Sequence, residues 1–338
     1  MPYSILQTAP GGRRRRRRRW PAIVALAVAI AAVVFVLAPR GTRRQERSAH
    51  AGAPVVPGTI LDSGTAPLAG GGTAPSPLAV QLDGADVVHL RFHVPPRSGL
   101  MFDVDTGRVL WRRDPARVLP IASLTKMMTA LVVVDRIRPG EKVPITKQAL
   151  AYQGSGVGLL PLGRSIGVST MLHGLLLPSG NDAAIALAQR AAGSVRAFVA
   201  AMNQRARAMG LVCTRFSSPS GFADEGNHSC ATDLAALARA VIRQPRLAPI
   251  VRRRQAVLPF PIKGGKIYLN NNNPLLRLHY PGTTGVKTGY TDAAGHCLVA
   301  TARRGSRRLG VVLLHSPDTG TQAMKLLDRG FAVLHRER

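Results

Sequence analysis

The chain has 338 residues, enough for one large domain or two ordinary ones, and an apolar fraction of 46% that supports a real core. Its formal charge of +29 has two readings, an Arg-rich surface that reflects composition bias or an acidic partner such as a nucleic acid, an anionic lipid or an anionic cell-wall polymer. Nucleic-acid recognition needs clustered basic residues with stacking aromatics. Only 4% of the residues are aromatic and no such cluster exists beyond the arginine run at 13–19, so the sequence argues against nucleic acid.

That run is followed by Trp20 and by an apolar, uncharged stretch at residues 22–38 that stops at Pro39-Arg40. The stretch is at the lower edge of the length needed to cross a bilayer as a helix, and Trp20 stands where an interfacial aromatic would. The denser basic block is N-terminal to it, which puts residues 1–20 in the cytoplasm and the remainder outside. Two readings stay open: an uncleaved single-pass anchor over residues 21–39, or a secretory signal cleaved near Ala49-His50-Ala51. Either way the bulk of the protein is exported. Residues 40–86 are rich in Ala, Gly, Pro, Ser and Thr. Such a segment buries too little surface to repay its ordering entropy, so it reads as a flexible tether leading to a catalytic domain at residues 87–336.

Within that domain, residues 100–104 and 108–111 read as strands joined at Asp105-Thr106-Gly107, a hairpin turn signal. A helix is expected from about Ser123, with Met127, Met128, Leu131, Val132 and Val134 on its apolar face. Helical patterns follow at residues 170–177, 182–192, 195–209 and 232–243, with Asn181 and Asp233 near helix starts, where caps and acids are favoured. Cys213 and Cys230 flank a turn-rich loop and are placed to close it as a disulfide outside the cytoplasm, although three cysteines allow three pairings. Residues 285–290, 297–303 and 309–315 return to strand, Gly305-Ser306 turns the last two, and residues 321–334 form a closing helix. Strands at both ends around a helical middle imply an α+β fold, its sheet built from the two termini of the domain.

Three short segments carry chemistry, in this order: Ser123-Leu124-Thr125-Lys126, Ser179-Gly180-Asn181 and Lys287-Thr288-Gly289. A serine hydroxyl is a poor nucleophile until a base takes its proton. A helix beginning near Ser123 sets Lys126 one turn on, on the same face. To serve as that base the amine must be neutral, which burial and a neighbouring cation, Lys287, both favour. Pro178 and Gly180 mark a tight connection that turns Ser179 and Asn181 into a cleft, the first to relay a proton, the second to bind substrate amide and hold Lys126. On an edge strand Lys287 and Thr288 would bind a carboxylate, and Gly289 would allow close backbone approach. The N–H groups of Ser123 and Tyr290 are candidates for an oxyanion hole. A cation reserved for a terminal carboxylate indicates an exopeptidase. Singly, each segment also reads as a helix cap or a solvated strand; their joint occurrence in order carries the argument. The nine histidines are scattered, and no metal-ligand spacing or phosphate loop is present, so no metal and no cofactor are expected.

These segments, with Pro178 to Ala184, Ser220-Gly221 and Asn270 to Leu276, resemble the low-molecular-mass penicillin-binding proteins of peptidase family S11, the D-alanyl-D-alanine carboxypeptidases. The likeness runs from about Arg97 to Phe331, and the middle segment reads S-G-N as in that family. The resemblance implies a β-lactamase/penicillin-binding transpeptidase-like fold. It implies an acyl-enzyme on Ser123 formed from the peptidoglycan stem peptide, Lys126 as base, Ser179 and Asn181 as the second catalytic element, and Lys287 as carboxylate anchor. Covalent trapping by β-lactams follows from the same likeness. No E-x-x-L-N pattern lies between the last two segments, so rapid β-lactam hydrolysis is not expected, and a D,D-endopeptidase is the nearest rival activity. Many relatives continue into a β-rich domain and an amphipathic anchor, whereas this sequence ends soon after Phe331; membrane attachment is therefore expected from residues 22–38.

Overall fold

The computed structural model describes residues 76–336, apart from 159, 223 and 224. The basic N-terminus, the apolar segment at 21–39 and the tether as far as residue 75 lie outside the described residues. Among the described residues no helix is long and apolar enough to cross a membrane.

Five antiparallel strands form the central sheet: β1 (Ser98–Asp103), β2 (Val109–Arg113), β3 (Thr283–Thr291), β4 (Gly295–Arg304) and β5 (Arg307–Leu314), in the spatial order β2-β1-β5-β4-β3. The first and last segments of the domain thus meet in mid-sheet, where Ser98 pairs with Leu314 and Asp103 with Leu309. Side chains alternate between the two faces of a strand. Leu100, Phe102, Val312 and Leu314 pack among the helices of the inserted region. Met101, Val311 and Leu313 pack on the other face against Leu326, Leu327 and Phe331 of the closing helix. Both faces are covered, which is why β1 and β5 read as unbroken apolar runs rather than as alternating ones. Each fully buried Leu or Phe contributes about 1.5–3 kcal/mol.

The inserted region carries helices α1 (Lys126–Arg136), α2 (Val168–Leu176), α3 (Asn181–Ala192), α4 (Val195–Ala208) and α5 (Ala231–Arg243), and α6 (Thr319–Arg336) closes the domain. The expected strands and helices are all present, with shifts of at most three residues at their ends.

Three differences matter. The helix expected from Ser123 is preceded by a 3-10 turn, Ala122–Thr125, and α-helix begins at Lys126. The helical middle also holds small two-stranded sheets, Lys142–Pro144 with Ser165–Gly167 and Gln255–Pro259 with Lys266–Asn270. The strands of the first pair are only three residues long, too short for a period-2 signal, whereas Lys266–Asn270 does alternate, with Ile267 and Leu269 buried between exposed neighbours, a hairpin that the expectations passed over. Finally, contacts with the domain begin well before residue 87. Arg239 donates to the Leu78 and Ala79 carbonyls, Gln81 bridges to Arg108, and Asp86 pairs with Arg112. A buried guanidinium needs fixed acceptors, and the end of the expected tether supplies them.

Candidate active site

The site is assembled where the 3-10 turn meets the outer strand of the sheet. Ala122 holds a left-handed backbone (φ 47°), an unfavourable conformation for a residue with a side chain. The Thr125 hydroxyl pins it by donating to the Ala122 carbonyl (2.8 Å) while accepting from Asn227 Nδ2 (2.8 Å). Residues i and i+3 eclipse in a 3-10 turn. Lys126 therefore lies directly over Ser123, with Nζ 2.8 Å from Oγ.

Lys126 is fully buried, and its Nζ has two further partners, Asn181 Oδ1 and the Ser220 carbonyl, both at 2.7 Å. Asn181 is the first residue of α3, near the helix start as expected, and Gly180 occupies the cap position. The Asn181 amide is stretched between Lys126 and the Gln153 carbonyl (2.5 Å). Burial holds the Lys126 amine well below the usual lysine range, the Lys287 cation adds to this, and the Asp182 carboxylate opposes it. Asp182 is itself buried, which raises its pKa, and it accepts from the backbone N–H groups of Val157 and Ala183. It thereby fixes the 153–158 loop against the start of α3.

Ser220 lies in the loop closed by a disulfide between Cys213 and Cys230, whose Cα atoms are 5.6 Å apart. The loop is tied to the helices by Thr129 donating to the Pro219 carbonyl and by Asn203 bonding both backbone groups of Phe216. Cys213, Cys230 and Asp233 are the potential metal ligands that come close together among the described residues, but the sulfurs are joined to each other and Asp233 is held by Cys213 N and Thr214 Oγ1. Cys297, expected as a buried thiol, is buried in β4.

Ser179 has a left-handed backbone (φ 70°), and its buried Oγ has no hydrogen-bond partner among the described residues. The two carbonyls before it are clamped by one residue: Asn272 donates its backbone N–H to Leu177 and its Nδ2 to Pro178, both at 3.1 Å. Gly180 is required by packing, since a Cβ there would collide with the Val157 side chain and lie 2.6 Å from Asp182 Oδ1.

Lys287 and Thr288 lie on β3, the outer strand of the sheet, with one edge unpaired. Lys287 is buried, donates to the Thr288 carbonyl (2.8 Å) and forms no ion pair among the described residues. Burial pushes its pKa down to about 7. Gly289 abuts the 3-10 turn: a Cβ would lie 2.9 Å from the Ile121 carbonyl and 3.1 Å from Ser123 N. Any larger residue would push the strand off the turn that carries Ser123.

Ser123 and Tyr290 line two adjoining cavities. One, about 340 Å³, is bounded by Ser179, Asn272, Thr288, Gly289 and His296; the other, about 650 Å³, by Gly154, Ser155, Phe222 and Asp292. Of the eight residues expected at the site, Ser123, Ser179, Asn181, Thr288, Gly289 and Tyr290 line these cavities; Lys126 is buried against Ser123 and Asn181, and Lys287 is buried in β3 and lines neither. Sequence reasoning missed Asp182, Asn272, Thr125 with Asn227, and the Ser220 carbonyl. Thr125, Asp182, Ser220 and Asn272 all lay in segments that carry the family likeness but had no role assigned; Asn227 lay in none, and a backbone carbonyl such as that of Ser220 leaves no trace in residue type.

Residues 88–318 match the family model described as Peptidase_S11, D-alanyl-D-alanine carboxypeptidase. The chain is similar to D-alanyl-D-alanine carboxypeptidase DacF of Bacillus subtilis, at 34% identity over 77% of this chain and 67% of DacF. It is also similar to D-alanyl-D-alanine carboxypeptidase DacB2 of Mycobacterium tuberculosis, at 36% identity over 71% of this chain and 83% of DacB2. The crystal structure of the Streptomyces K15 DD-transpeptidase superposes with a TM-score of 0.67 at 30% identity, covering 72% of this chain and all of that one. In sequence and in fold alike, the chain belongs to the D-alanyl-D-alanine carboxypeptidase family, peptidase S11.

Proposed function

We propose that this protein is a serine-type D-Ala-D-Ala carboxypeptidase that trims peptidoglycan stem peptides through an acyl-enzyme on Ser123. The observation that carries the reading is the hydrogen-bond count at Lys126. A neutral amine has two N–H donors and one lone pair. Asn181 Oδ1 and the Ser220 carbonyl, acceptors only, take two N–H groups, and the third position of Nζ faces the Ser123 hydroxyl at 2.8 Å, where an ammonium presents its last N–H and a neutral amine its lone pair. Burial favours the neutral form, so the geometry suits a base in place before substrate arrives.

In this mechanism Ser123 Oγ gives its proton to Lys126 Nζ and bonds to the carbonyl carbon of the penultimate D-Ala. The developing oxyanion is stabilised by the N–H groups of Ser123 and Tyr290, each donor contributing about 3–4 kcal/mol. The peptide C–N bond breaks as the departing D-Ala amine takes up the proton that Lys126 accepted, relayed through the unpartnered Ser179 hydroxyl, which leaves Lys126 neutral again. Lys287 and Thr288 hold the terminal carboxylate, and Gly289 lets the substrate backbone lie along β3. Water then hydrolyses the ester through Lys126. β-Lactams acylate the same serine. We also propose Asn181 as the residue that orients Lys126 and binds substrate amide.

The domain works outside the cytoplasm, in keeping with its disulfide. Residues 21–39 serve as its single-pass membrane anchor, with residues 1–20 cytoplasmic and the stretch up to residue 75 as tether. Fractionation of cells before and after alkaline extraction tests the anchor, since recovery of a soluble mature form would instead indicate cleavage. The activity is tested by mass analysis of products from a muramyl pentapeptide and a cross-linked dimer. Loss of one D-Ala from the pentapeptide is expected, cleavage of the dimer alone would assign an endopeptidase, and Ser123→Ala should abolish either. Turnover by that variant would refute the choice of nucleophile.

A further inference from the structure

The two cavities that meet at Ser123 and Tyr290 must receive opposite ends of the substrate. Under the carboxypeptidase reading, on which this inference rests, the terminal carboxylate lies at Lys287 and Thr288 and the scissile carbonyl at Ser123. A substrate extended along the open edge of β3 advances about 3.3 Å per residue. The residue immediately before D-Ala-D-Ala therefore passes Tyr290 and comes opposite Thr291 and Asp292, at the mouth of the 650 Å³ cleft.

Asp292 is the one acid among the described residues lining that cleft. It stands out in a chain with 46 basic and 17 acidic residues, whose general field repels cations. Its Oδ1 accepts from the Tyr290 hydroxyl at 3.0 Å, and the Tyr290 ring packs on His296 at 4.6 Å, so the carboxylate is held from the strand side. Its other oxygen has no hydrogen bond among the described residues and is open to the cleft. Phe222, 42% exposed, supplies an apolar wall along which a methylene chain can lie.

We propose that Asp292 is a specificity residue that pairs with a side-chain ammonium on the substrate residue preceding D-Ala-D-Ala. The enzyme then selects stem peptides whose diamino acid carries a free amine. A substrate whose amine is capped, or already joined in a cross-link, loses the pair, so trimming favours strands that have not been cross-linked through that residue.

The test compares three substrates of the form acetyl-Lys-D-Ala-D-Ala, with the side-chain amine free, acetylated or succinylated. The native protein should show kcat/KM about three- to five-fold higher for the free amine than for the acetylated form, as for one solvent-accessible ion pair. The succinylated form should be poorest, and the spread should shrink with added salt. In Asp292→Asn the ratio of free to acetylated should fall to about one, and in Asp292→Lys the succinylated substrate should become the best. Asp135→Asn, which removes an equal charge at the remote end of α1, should keep the native ratio. Equal turnover of all three by the native protein, or a native ratio in Asp292→Asn, would overturn the assignment and leave the carboxypeptidase reading intact. Absence of turnover on all three would overturn that reading, and this one with it.

Discussion

Lys287 offers the sharpest test of the site, because its burial sets a pH at which the carboxylate anchor is lost. Its pKa is pushed down to about 7, and it has no ion pair among the described residues to restore it. In the free enzyme the ammonium is present below that pH and disappears above it. With a pKa of about 7, the charged fraction falls from half at pH 7 to about one part in a hundred at pH 9. If carboxylate binding requires the cation, kcat/KM for a D-Ala-D-Ala peptide should drop about fifty-fold over that interval. Substrate carboxylate favours the charged form, so the descending limb in kcat should lie at higher pH than the limb in kcat/KM. Arg stays protonated throughout, and Lys287→Arg should remove the limb whatever its absolute rate. The assay is initial-rate release of D-Ala from pH 6 to 10, with the integrity of the fold followed by circular dichroism. A native profile flat to pH 9.5, or a limb that persists in Lys287→Arg, would refute the reasoning. The same burial has an opposite sign for stability. The unfolded chain binds more protons than the native state between about pH 7 and the ordinary lysine pKa, so this residue destabilises the fold most at low pH and less as pH rises through that window. Lys287→Met should therefore raise Tm at pH 6 while abolishing activity.

Lys126→Ala should slow acylation by a fluorescent β-lactam about 10²–10⁴-fold, the usual worth of a positioned base; near-native labelling would exclude Lys126 from that role. Gly289→Ala should leave circular dichroism unchanged yet reduce acylation roughly 10–100-fold by pushing β3 off Ser123, which stopped-flow labelling would measure. Asn272→Ala, by freeing the Pro178 carbonyl next to Ser179 while its backbone bond to Leu177 persists, should lower kcat about ten-fold with KM and Tm little changed; a change confined to KM would count against a positioning role. Replacing Cys213 and Cys230 together by Ala should cost roughly 3 kcal/mol in denaturant unfolding, the chain-entropy value for a loop of this size, while acylation persists.

What the residues determined by themselves is local and periodic. The strands and helices of the domain follow from apolar spacing, and Gly107 and Gly305 mark hairpin turns because the backbone there has positive φ. The proposed nucleophile and its proposed base are legible as well, since Ser123 and Lys126 are three apart and any helical turn brings them together. Tertiary structure decided the remainder. That the Lys126 amine is held well below the usual lysine range depends on complete burial and on Lys287, a residue far along the chain. That Asn181 serves the lysine rather than its own helix depends on where α1 lies. The Ser220 carbonyl reaches Lys126 only because a disulfide-closed loop is bonded to Thr129 and Asn203, and the Ser179 backbone is clamped by Asn272 from the far side of the cleft. Such contacts join groups distant in sequence, several through main-chain atoms common to every residue, so no pattern of residue types can announce them.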